Sequence, residues 1–204
     1  RILQATLAGT PLVVIDPRRT ELARVARVHL PVDPGGNVPL LNALARELLD
    51  RGAIDQAYLD ERTVGLDGLR AHLLARDPAE EARAVGVEPG ALAAAADVLA
   101  GGPLLFVHGI GLSELTQGVD SVRALANLGL LTGSIGRRGA GMPPLRGQNN
   151  VQGCVDMGCM PDQVTGYQPL DDPAVRERLR ELWGAAPPPE PGLTETRMIR
   201  AAAR

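Results

Sequence analysis

The apolar run Leu104-Leu105-Phe106-Val107 passes directly into His108-Gly109-Ile110-Gly111, and residues 117–131 then repeat their apolar positions at the helical period. A strand, a glycine loop and a helix in that order send the helix back across the sheet, so repeated units of this kind build a mostly parallel sheet. The same alternation occurs earlier in the chain. Residues 12–15 form a β-rich run that ends at Asp16-Pro17, residues 28–32 form a second, and residues 21–27 between them have room for a turn or two of helix. Residues 37–51 carry Leu40, Leu41, Leu44, Leu48 and Leu49 at helical spacing, with Asn37 as the expected N-cap and Gly52 as the stop. Further helices are expected over residues 55–62, 66–75 and 89–100. The expected fold class is therefore α/β: a mostly parallel sheet with helices on both faces (three-layer αβα), plus part of a second α/β domain.

Composition narrows the function classes. Of 204 residues 45% are hydrophobic but only one Trp, two Tyr and one Phe occur, so the core must rest on Leu, Ala, Val and Ile. All 21 basic residues are Arg, which excludes Schiff-base chemistry and a P-loop lysine within this stretch. A net charge of −3 leaves no electrostatic footprint for nucleic acid. No apolar run approaches the ~18 residues of a membrane span, and no signal peptide is visible. The chain opens on Arg1 rather than Met and closes within a helical pattern, so it reads as a piece of a longer protein. The cytoplasm is the default compartment, with the periplasm left open. Cys154 and Cys159 are too few for a four-ligand metal site and are expected as free thiols.

The segment between Gly129 and Gly166 holds nine glycines and little periodicity, and is expected to be loop-dominated and functional. Within it lies Arg146-Gly147-Gln148-Asn149-Asn150-Val151-Gln152-Gly153, which packs a permanent cation and four carboxamides into eight positions. Such a segment suits a polar ligand bearing an anion, or a hydrogen-bonded interdomain loop. Residues 173–183 then form a charged helix after Asp172, and Pro187-Pro188-Pro189 leads to a final segment, residues 194–204.

In parallel folds ligands sit at the carboxyl ends of the strands, where Asp16 and His108-Gly109 stand. Asp16-Pro17-Arg18-Arg19 puts a carboxylate and two guanidiniums there. The carboxylate suits ribose hydroxyls or a guanine N–H pair, and Arg suits a base face or a phosphate, although an Asp-Pro turn with surface arginines would read the same. Gly35-Gly36-Asn37 offers another turn at the same edge. Gly109 and Gly111 hold two dinucleotide-loop positions, with Glu114 where a third glycine would stand; the turn serves either close approach to a diphosphate or tight packing. Leu131 occupies the place of the acidic residue that an ordinary nicotinamide site needs. His29 and His72 are expected in structural roles and His108 stays open. Asp156 and Asp162 do not read as a catalytic pair.

Taken in order, VIDPRRTE, the Gly-Ile-Gly loop, Ala126-Asn127-Leu128, Leu131-Thr132-Gly133, Ile135-Gly136-Arg137, Pro144-Leu145, RGQNNVQG, Asp156-Met157-Gly158 and Gly166-Tyr167 make the chain resemble the middle of a molybdopterin-dependent oxidoreductase, specifically a formate dehydrogenase catalytic subunit. The resemblance covers nearly the whole chain. It implies formate as substrate and a molybdenum or tungsten centre held by two molybdopterin guanine dinucleotides. It also implies an iron-sulfur cluster bound outside this segment, and electron-transfer partners with iron-sulfur or flavin centres. Residues 1–148 would form a dinucleotide-binding α/β domain incomplete at its N-terminus, and residues 149–204 the start of the returning half of a neighbouring α/β domain. By the resemblance Asp16, Arg18, Gly35 and Asn37 would receive a guanosine end, Gly109, Gly111 and Glu114 would lie near the pterin and diphosphate, and Gly147 would also touch cofactor. Arg146 would hold formate and Gln148 would line the site. No residue of the chain is a metal ligand, because the family's Cys or selenocysteine, its neighbouring His and an active-site Lys would precede Arg1. Many relatives carry Gln where Glu114 stands. Two other readings are a nitrate-reductase-like member and a non-catalytic relative, as in the large iron-sulfur subunit of respiratory NADH dehydrogenase.

Overall fold

The computed structural model describes residues 1–203, which fall into two compact units, residues 1–145 and residues 146 onward. Unit 1 runs α1 (Ile2–Leu7), β1 (Val13–Ile15), α2 (Glu21–Val25), β2 (Val28–Leu30), α3 (Asn37–Asp50), α4 (Gln56–Arg62), α5 (Leu66–Leu74), α6 (Pro78–Ala84), α7 (Pro89–Leu99), α8 (Ile110–Ser113) and α9 (Gly118–Leu131). Unit 2 contains α10 (Val151–Asp156), β3 (Gln163–Val164), β4 (Gln168–Pro169), α11 (Pro173–Trp183) and α12 (Glu195–Ala202). The fold is mixed α/β with a small parallel sheet, as the alternation of short apolar runs and helical patterns predicts.

Helix α3 organises unit 1. Leu40, Leu41, Leu44 and Leu48 recur at i, i+3 and i+4 and are all buried, packed into one core with Leu73 of α5, Ala82 of α6, Leu92 and Leu99 of α7 and Leu128 of α9. Arg46 lies on the same helix. Its Nη1 donates to the carbonyls of Leu73, Leu74 and Arg76 at 2.8–3.1 Å, satisfying the open end of α5, while its Nε donates to Asp50. Helix α6 went unread in the sequence, although its start carries a strong signal. Asp77 accepts from the N–H groups of Ala79 and Glu80, and Pro78 sits in the first turn.

Strands β1 and β2 pair in parallel, Val13 with Val28 and Ile15 with Leu30. The third expected strand is present as a parallel ladder without a regular strand. Gly141 N–H donates to Leu104 O at 2.9 Å, Phe106 N–H to Gly141 O at 2.8 Å, and Leu145 N–H to His108 O at 2.7 Å. Pro143 and Pro144 explain the irregularity, because neither has an N–H to give to the ladder.

In unit 2 the segment expected to be loop-dominated contains α10 and β3, and β4 follows just after it, pairing antiparallel with β3, Gln163 opposite Pro169. Gly166 and Tyr167 make the connection with φ of +78° and +59°. Asp172 caps α11 by accepting from Ala174 N–H at 2.8 Å. Val164, Leu170, Val175 and Leu179 form a small separate core.

Candidate functional site

The carboxyl ends of β1 and β2 carry the first two loops. Asp16 turns the chain: its Oδ1 accepts from Arg18 N–H at 2.8 Å and lies 3.5 Å from Arg18 Nε. The Arg18 side chain is 83% exposed, so this pair adds little stability and leaves the guanidinium facing outward. His29 Nε2 lies 2.8 Å from Asp16 O and fixes the turn, a structural role of the kind expected for it. After β2, Gly35 takes φ +94° and Gly36, not Asn37, is the N-cap of α3. That corrects the sequence reading, and the reason lies in the hydrogen bonds: Leu40 N–H donates to Gly36 O at 3.2 Å, so the first turn already closes on Gly36 and the half-buried Asn37 is the first helical residue. A Cβ at Gly36 would meet Val85 Cβ at 2.6 Å, which keeps that position a glycine.

The third loop follows the ladder. Because residues 104–108 and 141–145 run in parallel, His108 and Leu145 end side by side, and the chain continues from one into Gly109 and from the other into Arg146. Gly109 is the extended N-cap of α8, Gly111 lies within it, and Glu114 is its exposed C-cap. A Cβ built at Gly109 or Gly111 meets nothing within 4 Å, so packing does not require glycine at either position. Gly118 behaves oppositely, since a Cβ there would sit 2.0 Å from Ser113 O.

Gln117 joins these loops and is a residue that sequence reasoning missed. Its Nε2 donates to Gly35 O at 2.7 Å, tying the start of α9 to the turn after β2. A lone carboxamide beside a helix start was the only trace of this in the sequence.

In unit 2, Arg146, Gly147 and Gln148 are exposed. Asn150, at φ +52°, caps α10 by accepting from Gly153 N–H at 3.2 Å. Gln152 Nε2 donates to Asp156 Oδ1 at 3.0 Å and to the Tyr167 hydroxyl at 2.7 Å. Burial and the Asp156 carboxylate push the Tyr167 hydroxyl above the usual phenol value, while Gln152 and the positive charge of Arg146 oppose the rise. Tyr167 therefore belongs to a hydrogen-bonded group with Gln152 and Asp156. Its left-handed backbone is uncommon for an aromatic residue and could not be inferred from spacing. Among the described residues no three His, Cys, Asp or Glu side chains converge to hold a metal ion.

The donor set in unit 1 fits a nucleotide-bearing cofactor: a carboxylate, an outward guanidinium and a loop whose two glycines leave open space beside the backbone. The molybdopterin oxidoreductase family model matches residues 1–172. Formate dehydrogenase H of Escherichia coli strain K12 is 37% identical over 184 residues, 90% of this chain and 26% of that protein. The F420-dependent formate dehydrogenase subunit alpha of Methanocaldococcus jannaschii is 36% identical over 200 residues, 98% of this chain and 29% of that protein. Among solved structures, acetylene hydratase from Pelobacter acetylenicus superimposes with a TM-score of 0.60 at 21% identity, covering 67% of this chain and 19% of that one, a likeness of fold alone. The chain thus spans less than a third of the length of the curated relatives it matches.

Proposed function

The chain belongs to the molybdopterin oxidoreductase family, and from that premise we propose that it forms part of the catalytic subunit of a formate dehydrogenase. The reaction takes formate to carbon dioxide with release of one proton and two electrons. When bound, a molybdenum or tungsten centre carried by two molybdopterin guanine dinucleotides supplies the two-electron acceptor, and iron-sulfur clusters outside this segment carry the electrons onward. Electron-transfer subunits with iron-sulfur or flavin centres, and a cytoplasmic setting, complete the reading. Among the described residues no helix is long and apolar enough to cross a membrane.

Each residue has a role that its chemistry permits. Arg146 holds the formate carboxylate by charge-assisted hydrogen bonds and aims its C–H; it cannot take the proton, because a guanidinium stays protonated. Gln148 lines the site beside it, and Gly147 allows close approach of the backbone. Asp16 accepts from a guanine N–H pair or from ribose hydroxyls, and Arg18 stacks on the base or pairs with a phosphate. Gly35 and Asn37 border the same guanosine end. Gly109, Gly111 and Glu114 lie along the diphosphate and pterin. The observation that carries this reading is the parallel ladder that ends at His108 and Leu145, since it brings the open glycine loop to the ligand edge of unit 1.

In the holoenzyme, Arg146→Ala should lower formate turnover on the order of 10²-fold while metal content stays at the wild-type level. Asp16→Ala should instead lower the amount of pterin and metal retained after purification. Wild-type turnover in the first variant would remove Arg146 from its role, and undiminished cofactor in the second would remove Asp16.

A further inference from the structure

We propose that Cys154 and Cys159 form a reversible dithiol/disulfide site built into the carboxyl end of α10. The helix closes with a Schellman arrangement: Gly158 takes the left-handed position at φ +88°, its N–H donates to Val155 O at 2.9 Å, and Cys159 N–H donates to Cys154 O at 3.1 Å. This motif sets the residue after the left-handed glycine against a side chain of the last helical turn, a pair that is usually apolar. Here both members are cysteines. A backbone bond of 3.1 Å keeps their Cα atoms within about 7 Å by covalent geometry, and disulfides join Cα atoms roughly 4.4–6.8 Å apart. Both thiols are exposed. A Cβ at Gly158 would sit 2.7 Å from Thr165 N, so the glycine is held by packing as well as by its φ.

The oxidant is a low-molecular-weight disulfide. The Cys159 thiolate attacks one of its sulfurs, the external S–S bond breaks, one thiolate leaves, and Cys159 carries a mixed disulfide. Cys154 then gives its proton to solvent and attacks the Cys159 sulfur. The second external thiol leaves as the Cys154 to Cys159 bond forms. Two protein thiols lose two electrons and one external disulfide gains them. The neighbouring Cys159 pushes the Cys154 thiol above its ordinary value, which suits Cys154 to the second, resolving step.

The test equilibrates the purified protein across ratios of oxidised to reduced glutathione, alkylates what remains free, and digests with trypsin. No Arg lies between Arg146 and Arg176, so both cysteines fall in one peptide. That peptide should pass through a single midpoint from doubly alkylated to unalkylated and lighter by two hydrogens, and dithiothreitol should reverse it. Cys154→Ser should leave a glutathione adduct on Cys159 that the wild type resolves. Urea sufficient to unfold the protein should move the midpoint tenfold or more, in rough terms, toward oxidised buffer, because the cap no longer holds the pair together. A peptide doubly alkylated at every ratio, two glutathione adducts on one wild-type peptide, or a midpoint indifferent to urea would each overturn the proposal.

Discussion

Replacing Ser134 by Ala should destabilise the segment that leads to the Gly109 loop by about 2 kcal/mol. Ser134 is fully buried. Its Oγ accepts from Leu104 N–H at 2.8 Å and lies 2.7 Å from Thr132 Oγ1, which itself donates to Leu128 O at 2.9 Å. The Thr132 proton is thus committed to Leu128, so the Ser134 hydroxyl must donate to Thr132 and the relay has one direction. Ala at 134 removes the only side-chain acceptor shown for Leu104 N–H. A net hydrogen bond contributes about 1 kcal/mol, and a stranded buried donor costs about 1–3 kcal/mol; Leu104 is half-buried, which places the sum near 2 kcal/mol. With a urea slope of about 2 kcal/mol/M, the unfolding midpoint should fall by about 1 M at constant slope. Thr132→Val leaves the Leu104 acceptor in place and should shift the midpoint by about half as much. Hydrogen exchange adds a local readout, since the Leu104 amide should lose protection in the Ala variant alone. An unchanged midpoint with a still-protected Leu104 amide would refute the directed relay.

Two further outcomes follow from unit 1. Asp55 accepts from Tyr58 N–H at 3.0 Å and pairs with Arg137 at 2.6 Å, and both hold its carboxyl below the ordinary aspartate range. A depressed folded value means stabilisation that is complete above the unfolded value of about 4 and is lost as pH falls through the folded one. Wild type should therefore keep a constant melting-temperature advantage over Asp55→Asn above about pH 5 and lose it below about pH 4; an advantage that persists into acid would sink this account. Gly36→Ala should cost about 1–3 kcal/mol by collision with Val85, and Val85→Ala should recover part of it in the double variant, as a chemical-denaturation cycle would reveal. Strictly additive losses would show that the two side chains do not compete for one space.

The elements most legible in the sequence are those with strong local signals. Helix α3 shows its apolar face at helical spacing, and Asp172-Pro173 announces α11. Short runs that end in turn residues mark β1 and β2. What escaped was set by long-range geometry or by brevity. Helix α10 has only six residues, too short a run for periodicity to register. Asn37 has the chemistry of an N-cap, yet the first turn closes one residue earlier, on the carbonyl of Gly36, whose glycine is required by Val85, far away in sequence. Gln117 gains its importance only from a carbonyl that precedes it by 82 residues.

Glycine best illustrates what coordinates add to a sequence reading. Gly36, Gly109, Gly111 and Gly118 carry the same letter, and a strand, glycine loop and helix pattern serves tight packing and ligand approach equally well. Their surroundings separate them. At Gly36 and Gly118 the space is already filled by Val85 and by the Ser113 carbonyl, so selection for packing is a sufficient explanation. At Gly109 and Gly111 no atom comes within 4 Å of an added Cβ, and neither residue needs a left-handed φ, so neither packing nor backbone conformation explains them. Both glycines stand on an open surface at the end of a parallel ladder, the edge of an α/β sheet where the physics of the fold favours a ligand.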